Sequence, residues 1–518
     1  MAFLLPKNPY PDLASLGEVA QAGPGHVWIE PTSRCNTRCI HCVHYYREFG
    51  EDMPEELARK VFDSVLAGVR RAELIGLGEP FVASSFDMLF DECLRRGLEI
   101  YITTNGIRLR DEALVRRLVR GNVWLTYSID GARKETFETV RPFIKWERVL
   151  EALELIQRCA REAGAERRFH LRFNFVPMRR NIADLPDLVR LAARYGAETI
   201  YLLPVAGEDY MEAIEGQSLQ DCPELVSPVV LETLRVAASL GVHVPLPASF
   251  RELTVLGRPG TGLAPAMGRA GRKAWFAWRV FRQKGFGRLG QIALYGFGPR
   301  SRAGATYCTM PWKDAYFAAD GSVFPCCIVI QKLGDMKAQE WEDIWNGRLY
   351  RNLRRTIHSW NPSAQCRFCG LNCGINGGDE KRYQRFFAKY RREALPLDAA
   401  GIRLGRGFHD LERHPNGAPS HTWMSRKGAL SLPMRRGARF LRFTIWPLCP
   451  NNQFNSGSCR INAGRPEPFD NTCDQLHFPL DAVSGAEIRL DFEMEETHKV
   501  LPDTRELALV IRSIEYLV

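Results

Sequence analysis

The chain has 518 residues, of which 45% are hydrophobic and 25% charged, a composition ordinary for a soluble globular protein of about two to four domains. It contains no run of about 18 uncharged apolar residues, which excludes a typical spanning helix. The apolar start Met1–Leu5 reaches Pro6 and Lys7 at once, so it is not a secretory signal. We therefore expect a cytoplasmic protein.

Fifteen cysteines are many for a reducing compartment, where structural disulfides are rare. Their clustering indicates metal binding instead, because thiolates bind zinc and iron strongly. Three cysteines are scattered, as buried thiols usually are: Cys93, Cys159 and Cys222. Nine others form two groups: Cys35, Cys39 and Cys42, then Cys308, Cys326, Cys327, Cys366, Cys369 and Cys373.

After an N-terminal extension over residues 1–25, short apolar segments alternate with amphipathic helical stretches as far as residue 207. The first helix is predicted over Pro54–Val69, with Glu55 and Glu56 in its first turn. Strands alternating with helices predict a parallel sheet, and about six units favour an α/β fold of the partial (β/α)6 TIM-like barrel type. The strands are predicted at His26–Ile29, Glu73–Gly76, Glu99–Thr103, Val123–Ile129, Arg168–Val176 and Thr199–Leu203.

The first cysteine group has the spacing C-x3-C-x2-C and follows the first strand directly. Three thiolates in one short loop can hold three irons of a cubane cluster and leave the fourth iron without a protein ligand. Such an open iron can bind an amine and a carboxylate of a cofactor. The alternative is a zinc site with His41 or His44 as the fourth ligand.

Three further motifs follow in order, and with the cysteine loop they make residues 26–207 resemble the radical S-adenosylmethionine (radical SAM) superfamily. They are Gly78-Glu79-Pro80, Thr103-Thr104-Asn105-Gly106 and Ser128-Ile129-Asp130-Gly131. Leu77 replaces the first glycine of the family's Gly-Gly-Glu-Pro, and His41 replaces a frequent aromatic residue. Taken alone, the glycines fit ordinary turns, and Ser128 and Asp130 fit helix caps.

The resemblance implies a [4Fe–4S] cluster on the first cysteine group, with S-adenosylmethionine on its open iron. In this family a reduced cluster passes one electron to the sulfonium, and the resulting 5′-deoxyadenosyl radical takes a hydrogen atom from a C–H bond. A reductant such as flavodoxin or ferredoxin is also implied, whereas no catalytic residue is assigned. The residues implied in cofactor binding are Gly78, Glu79, Pro80, Asn105 and Ser128.

Residues 208–305 are predicted to form a helical and basic insertion, with a helix over Pro228–Leu240. Between Leu253 and Lys313 the chain has no Asp or Glu, and eleven Lys and Arg residues there account for the net charge of +10. A local basic segment favours an anionic partner. Ala274–Arg282 mixes aromatic and basic residues without clean helical faces, which leaves open peripheral contact with an anionic membrane surface, a phosphate-bearing substrate or a solvated insertion. No nucleic-acid partner is expected, because no reading module is recognisable.

The second cysteine group lies within residues 306–380. Cys308 and Cys326 flank a predicted hairpin turn at Asp320-Gly321, and Cys366 and Cys369 form a C-x2-C knuckle. Four such thiolates fit either structural zinc or a [4Fe–4S] cluster.

The surroundings of these cysteines resemble SPASM domains and the shorter twitch domains that follow radical SAM cores. The resemblance is carried by Cys308–Trp312, Gly321–Cys326 and Trp341–Leu353. It implies one auxiliary [4Fe–4S] cluster, with Cys308, Cys326, Cys366 and Cys369 as ligands. Cys327 and Cys373 are left over, and three roles stay open for them: a replacement ligand, a hydrogen-atom donor or a packing thiol.

Residues 381–400 are predicted as a charged linker helix, and residues 401–518 as an all-β sandwich of short alternating apolar segments. This tail resembles the small β-sandwiches appended to some enzymes of cell-surface polysaccharide synthesis. Its cysteines lack a paired motif and are interpreted as structural thiols: Cys449, Cys459 and Cys473. The strands are predicted at Ala429–Leu432, Phe440–Ile445, Glu487–Phe492 and Leu507–Ile511.

Three hypotheses about function follow. The first is a radical SAM oxidoreductase that oxidises, epimerises or dehydrates a sugar or glycoconjugate, because the tail favours saccharides and an auxiliary cluster can accept an electron. The second is a ribosomal-peptide or protein maturase of the SPASM type. The third is a cluster-bearing sensor or scaffold without catalysis. Fold analogy alone does not decide among them.

Overall fold

The computed structural model describes residues 16–250 and 308–518, which fall into two compact units. The barrel unit comprises residues 24–250 and 314–322, and the β-rich unit comprises residues 16–23, 308–313 and 323–518. The gaps within these ranges are 47–49, 165–167, 204, 206–210, 220–221, 248–249, 328–330, 358, 360, 364–365, 367–386, 389, 414–416, 418, 447–455, 471, 473, 482 and 500–505.

A parallel sheet forms the centre of the barrel unit. Its described strands lie in the reverse order of the chain, from the sixth back to the first, and each pairs in parallel with the next. This confirms the predicted α/β fold. The strands are β1 (His26–Ile29), β2 (Arg71–Leu74), β3 (Glu99–Thr104), β4 (Val123–Ser128), β5 (His170–Phe175) and β6 (Thr199–Leu202).

A seventh strand, β7 (Asp314–Phe317), pairs in parallel with the free side of β1. No local sequence signal indicates this pairing, because 288 positions separate His26 in β1 from Asp314 in β7. His26 in β1 lies 2.9 Å from Asp314 in β7 and 3.1 Å from Glu73 in β2, so one imidazole joins three neighbouring strands.

Helices follow the strands along the chain. The first begins after Pro54, carries Glu55 and Glu56 in its first turn, and ends before Gly68, whose φ of +88° favours glycine. It is four residues shorter at its carboxyl end than predicted. The helices are α1 (Glu55–Val65), α2 (Phe86–Arg95), α3 (Glu112–Arg120), α4 (Lys134–Val140), α5 (Trp146–Glu162), α6 (Leu185–Tyr195) and α7 (Pro223–Leu240).

The two faces of the parallel sheet differ in character, because side chains alternate along each strand. One face is apolar and buried, as at Leu74, Ile102, Leu125 and Phe173. The buried faces of the helices supply its apolar partners. The other face, called here the open face, carries polar and aromatic side chains that remain partly accessible.

Short elements lie between Cys308 and Cys366 of the second cysteine group. These are α8 (Met310–Lys313), β8 (Ser322–Phe324), β9 (Gly334–Asp335), α9 (Trp341–Trp345) and α10 (Arg348–Thr356).

The C-terminal part of the β-rich unit is all-β, as predicted. Its strands are β10 (Arg392–Leu395), β11 (Arg403–Leu404), β12 (Glu412–Arg413), β13 (Pro419–Met424), β14 (Lys427–Pro433), β15 (Phe440–Trp446), β16 (Ser456–Ile461), β17 (Glu467–Asp470), β18 (Gln475–Pro479), β19 (Glu487–Met494), β20 (His498–Lys499), β21 (Glu506–Leu507) and β22 (Leu509–Leu517). One sheet has the strand order β12-β13-β22-β15-β18 with β10 on β22, a second has the order β11-β14-β19-β16-β17, and β20 pairs with β21.

Aromatic side chains from both sheets meet in one core. Phe443 of the first sheet meets Phe492 of the second edge-on at 5.6 Å, and Phe469 meets Phe478 at 6.0 Å. Cys459 is fully buried in this core, which agrees with a structural thiol, whereas Cys449 and Cys473 lie outside the described residues. Arg392–Leu395, within the predicted linker helix, is a strand because it pairs antiparallel with β22.

Candidate functional site

The loop after β1 brings the first cysteine group together. Cys39 is buried, and Cys35 and Cys42 are half-buried. Burial, and then the charges of Glu79, Cys39 and Cys42, raise the pKa of Cys35 to about 11. Sulfurs that oppose one another's ionisation are stabilised as thiolates by a bound metal. Three cysteine sulfurs in one loop are the donor type that an iron–sulfur cluster binds, and their role as its ligands stays a prediction.

Asp52 anchors the beginning of this loop. Its carboxylate accepts hydrogen bonds from Thr32 Oγ1 at 2.5 Å, from Arg34 Nε at 2.8 Å and from Ser84 N at 3.1 Å. The hydrogen bond from Arg34 holds the pKa of Asp52 well below its usual range. One carboxylate thus fixes the start of the cysteine loop to the segment that follows Pro80.

The Gly78-Glu79-Pro80 motif lies directly against the cysteine loop. Gly78 N donates to Thr32 O at 3.2 Å, and Glu79 N donates to Arg34 O at 2.8 Å. A Cβ atom on Gly78 would lie 2.2 Å from Arg34 O, so glycine is required there for close approach rather than for a turn. The glycine motif is therefore a contact surface of the loop.

Leu77 is tolerated in place of the family's glycine because its side chain is half exposed. Its backbone carries the contacts: Leu77 N donates to Glu30 Oε1 at 2.6 Å, and Leu77 O accepts from His44 Nε2 at 3.0 Å. His44, the alternative zinc ligand, is thus engaged through Nε2 by a carbonyl.

The Glu79 carboxylate is buried and links the second and third strand ends. It accepts hydrogen bonds from Thr104 Oγ1 at 2.6 Å and from Asn105 N at 2.7 Å. Burial raises the pKa of Glu79 to about 7. In this structure Glu79 therefore positions the Thr104–Gly106 turn, and its predicted cofactor contact stays a prediction.

Asn105 and Gly106 continue this turn toward the cysteines. Asn105 Nδ2 donates to Asn36 Oδ1 at 2.7 Å and lies 3.9 Å from Cys35 Sγ. Gly106 has a φ of +82°, and a Cβ atom there would lie 2.0 Å from the Tyr127 ring. The motif thus places an amide at the cysteine loop, and only glycine fits behind it.

The end of β4 carries Ser128 and Asp130. Ser128 is half-buried and pairs in register with Asn174 on β5, so both lie on the open face at the carboxyl edge. Asp130 does not cap α4, whose N-cap Arg133 has no side-chain cap. Its fully buried carboxylate instead accepts from Val176 N at 2.6 Å and from Arg141 Nε at 2.7 Å.

Arg141 connects Asp130 to the cysteine loop, and sequence reasoning missed it. Arg141 Nη1 donates to Cys39 Sγ at 3.2 Å. Burial raises the pKa of Cys39, and the charge of Arg141 opposes that rise. His41 Nε2 lies 3.6 Å from Asp130. No sequence signal pointed to Arg141, because it lies 102 residues from Cys39 and outside the four motifs.

Aromatic rings and one guanidinium cover part of the open face. Arg172 on β5 lies over Tyr101 at 4.8 Å, over Trp124 at 5.3 Å and over Tyr201 at 5.4 Å. Arg172 Nη2 also donates to Thr126 Oγ1 at 2.9 Å. Side chains alternate between the two faces of a strand, and the strand register places these residues on the same face. This alternation could have revealed the open face from the sequence. The open face therefore offers aromatic and cationic contacts below the cysteine loop.

The second cysteine group is described in part. Cys326 and Cys366 are buried, Cys308 is half-buried and Cys327 is exposed, and none of these four forms a disulfide. The predicted turn at Asp320-Gly321 is confirmed, with Gly321 at a φ of +90°. The predicted ligand Cys369 and the leftover Cys373 lie outside the described residues.

The Trp-rich segment of α9 and α10 fastens the N-terminal residues of the β-rich unit. Trp345 Nε1 donates to Ala22 O at 2.9 Å, and Trp312 Nε1 donates to Gly17 O at 2.7 Å. Arg354 donates to Pro311 O at 2.9 Å and to Glu18 O at 3.2 Å. Residues 17–22 of the extension are thus part of the packing of α8, α9 and α10.

Comparison with protein families agrees with these two sites. The profile of the radical SAM superfamily matches residues 29–192, which include the cysteine loop and the three motifs after it. The profile of SPASM, an iron–sulfur cluster-binding domain, matches residues 308–373. The chain contains a radical SAM domain and a SPASM domain. Its cofactors are accordingly iron–sulfur clusters and S-adenosylmethionine.

Two relatives match part of this chain in sequence. The mycofactocin maturase MftC of Mycobacterium tuberculosis is 29% identical over 194 residues, which cover 37% of this chain and 47% of that protein. A tungsten-containing aldehyde ferredoxin oxidoreductase cofactor-modifying protein of Pyrococcus furiosus is 26% identical over 233 residues, which cover 43% of this chain and 62% of that protein. The chain spans about half the length of the maturases it matches.

A solved structure is also similar to part of this chain. It is Streptococcus suis SuiB bound to precursor peptide SuiA, with 16% identity and a TM-score of 0.46, over 72% of this chain and 74% of that chain.

The basic segment, including Ala274–Arg282, lies outside the described residues, and its anionic partner stays a prediction. Among the helices that the structure describes, none is both long and apolar enough to cross a membrane.

Proposed function

We propose that this protein is a radical SAM enzyme that abstracts a hydrogen atom from a peptide or protein substrate. The observation that carries the proposal is the contact between the cysteine loop and the glycine motif, where Gly78 fits against Arg34 O and no larger residue would. In this arrangement Cys35, Cys39 and Cys42 hold three irons of a [4Fe–4S] cluster. When bound, that cluster supplies the electron that cleaves S-adenosylmethionine.

The residues around the loop bind and orient the cofactor in this proposal. The backbone of Gly78–Pro80 receives the amine of S-adenosylmethionine, and Asn105 and Ser128 border the same carboxyl edge of the sheet. Glu79 holds the turn that carries Asn105. The aromatic rings of the open face remain partly accessible, and a bound substrate would have to cover them to protect a reactive radical from water.

The SPASM domain holds one auxiliary [4Fe–4S] cluster in this proposal, on Cys308, Cys326, Cys366 and Cys369. Burial of Cys326 and Cys366 suits a structural or electron-accepting cluster away from solvent. A flavodoxin or ferredoxin supplies the electron from outside, because the chain's own thiols are not a sustained source of reductant.

A peptide substrate is favoured over the sugar or glycoconjugate that the sequence analysis placed first. Mycofactocin maturase MftC of Mycobacterium tuberculosis is 29% identical to this chain over 194 residues, and a maturase relative supports this choice. The saccharide hypothesis depended on the C-terminal β-sandwich and on an auxiliary cluster that can accept an electron, and the comparisons do not support a sugar substrate. A sensor or scaffold is disfavoured because the relatives named above are a maturase and a cofactor-modifying protein.

Anaerobic reconstitution tests the cofactor part of the proposal. Wild-type protein should bind about eight irons per chain, at four per cubane, and the Cys35, Cys39 and Cys42 triple alanine variant should retain about half. With dithionite, wild type should release 5′-deoxyadenosine from S-adenosylmethionine and the triple variant should not. A protein that binds zinc alone and leaves S-adenosylmethionine intact would contradict it.

The substrate part needs a separate measurement. Short peptides encoded beside the gene, deuterated at candidate side chains, should transfer deuterium to 5′-deoxyadenosine and change in mass. Sugars and sugar nucleotides serve as the comparison set. Deuterium transfer from a sugar, with none from any peptide, would replace the peptide hypothesis by the saccharide one.

A further inference from the structure

A buried guanidinium donates a hydrogen bond to one of the three cysteine sulfurs. Arg141 is 6% exposed, and its Nη1 lies 3.2 Å from Cys39 Sγ. Both partners are shielded from water, since Cys39 is also buried. Charge-assisted hydrogen bonds are stronger than neutral ones, and a low local dielectric strengthens them further.

Asp130 holds this guanidinium in place. Its Oδ2 accepts from Arg141 Nε at 2.7 Å, and its Oδ1 accepts from Val176 N at 2.6 Å. Asn181 Nδ2 in turn donates to Asp130 O at 3.0 Å. The carboxylate is fully buried and fixed at both oxygens, so Arg141 has one available direction for its Nη1 group.

We propose that Arg141 raises the reduction potential of the cluster held by Cys39 and that Asp130 is the positioning residue for Arg141. The inference rests on the proposed function, because it takes Cys39 as a cluster ligand. Reduction adds one electron, supplied by the external flavodoxin or ferredoxin, and so adds one negative charge near the ligand sulfurs. A donor N–H and a positive charge at Cys39 Sγ stabilise that state more than the oxidised one.

The alternative role for Arg141 is purely structural, as the partner of a buried carboxylate. The geometry distinguishes the two. Charge pairing with Asp130 uses Nε, whereas Nη1 is directed at the sulfur and not at the carboxylate. A structural pair would leave the potential of the cluster unchanged when Arg141 is replaced, provided that the cluster still assembles.

The test compares redox titrations of the reconstituted full-length proteins. Reduction is monitored by EPR, using the signal that changes when S-adenosylmethionine is added, because this signal belongs to the cluster that binds the cofactor. Arg141→Gln removes the positive charge. Arg141→Lys keeps the charge, but it has one amino group and cannot reach both Asp130 and the Cys39 sulfur as the guanidinium does. Lys134→Gln removes a positive charge from the exposed first turn of α4, the helix that Arg141 directly follows, and serves as the matched control.

The midpoint potential should become more negative in Arg141→Gln, shift less in Arg141→Lys and stay unchanged in Lys134→Gln, at equal iron content. Equal potentials in wild type and Arg141→Gln would overturn the inference. If Arg141→Gln takes up no iron, Arg141→Lys decides, and an unshifted potential there overturns it. Wild type without an S-adenosylmethionine-sensitive signal would instead contradict the proposed function.

Discussion

The carbonyl oxygen of Arg34 occupies the space that a side chain on Gly78 would need. An ideal Cβ atom on Gly78 would lie 2.2 Å from that oxygen and 2.5 Å from Thr32 O. Both neighbours are backbone atoms, which cannot move aside as the end of a flexible side chain can. The glycine motif and the cysteine loop are therefore fitted to each other and cannot change independently.

Gly78→Ala should separate these two segments. We expect a loss of about 1–3 kcal/mol in the free energy of unfolding, because overpacking forces backbone shifts. Iron uptake at the first cysteine group should fall with it. Urea unfolding and iron analysis measure both effects. Gly50→Ala is the control, since a Cβ atom there meets nothing within 4 Å. Equal iron content in Gly78→Ala and Gly50→Ala would contradict a role for the contact between Gly78 and the cysteine loop in iron binding.

Asp52→Asn should loosen the start of the cysteine loop without removing a cysteine. The change takes away the charge that Arg34 Nε contacts at 2.8 Å while leaving a side chain of the same shape. Hydrogen bonds to charged groups contribute about 1.5–3 kcal/mol, so the melting temperature and the reconstituted iron content should both decrease. Glu55→Gln, which breaks an exposed ion pair with Arg59, should leave both unchanged.

His26→Asn should lower stability in a pH-dependent way. Burial opposes protonation of His26, but hydrogen bonds and charges from Asp314 and Glu73 outweigh it and raise its pKa above 6.5. A group whose pKa is raised on folding contributes stability that is complete below its unfolded pKa and is lost as the pH rises through the folded one. The deficit of the variant should thus be largest in acid.

Urea unfolding of wild type and His26→Asn at about pH 6 and about pH 9 checks this sign. The two free energies of unfolding should converge at the higher pH. Parallel pH profiles with a constant gap would show that His26 stabilises the strands through packing rather than through its charge.

Arg354→Met should release the N-terminal residues of the β-rich unit. The substitution removes the donor to the Glu18 carbonyl, and it leaves the buried Pro311 carbonyl without this donor at a cost of about 1–3 kcal/mol. Limited proteolysis should then cut within residues 16–23 faster than in wild type. Arg351→Met, on the exposed side of the same helix, should digest at the wild-type rate.

The strands and their sheet could be predicted from the sequence because their signal is local. Each predicted strand of the barrel lies within a few residues of its observed bounds, and the four motifs all fall at strand ends. The residues that were missed have no local signal. Arg141 reaches Cys39 across 102 positions, and Asp52 reaches Ser84 across 32, so only the fold brings them together.

Long separations in sequence also explain why the structure of the C-terminal part differs from the prediction. Charged residues around Arg392 predict a helix by composition, but Arg392–Leu395 pairs with the last strand of the chain, and pairing of this kind overrides local propensity. Likewise β7 resembled one arm of a local hairpin, and its parallel pairing with β1 could not be read from either segment alone.

The place of β7 beside β1 has a consequence for synthesis of the protein on the ribosome. His26 and its partner Asp314 are separated by 288 positions, so β1 acquires its second neighbour only after most of the chain has been made. Until then one side of β1 presents unpaired backbone groups, which are sites for pairing with other chains. A nascent chain that stalls before residue 314 is therefore the form most prone to aggregate.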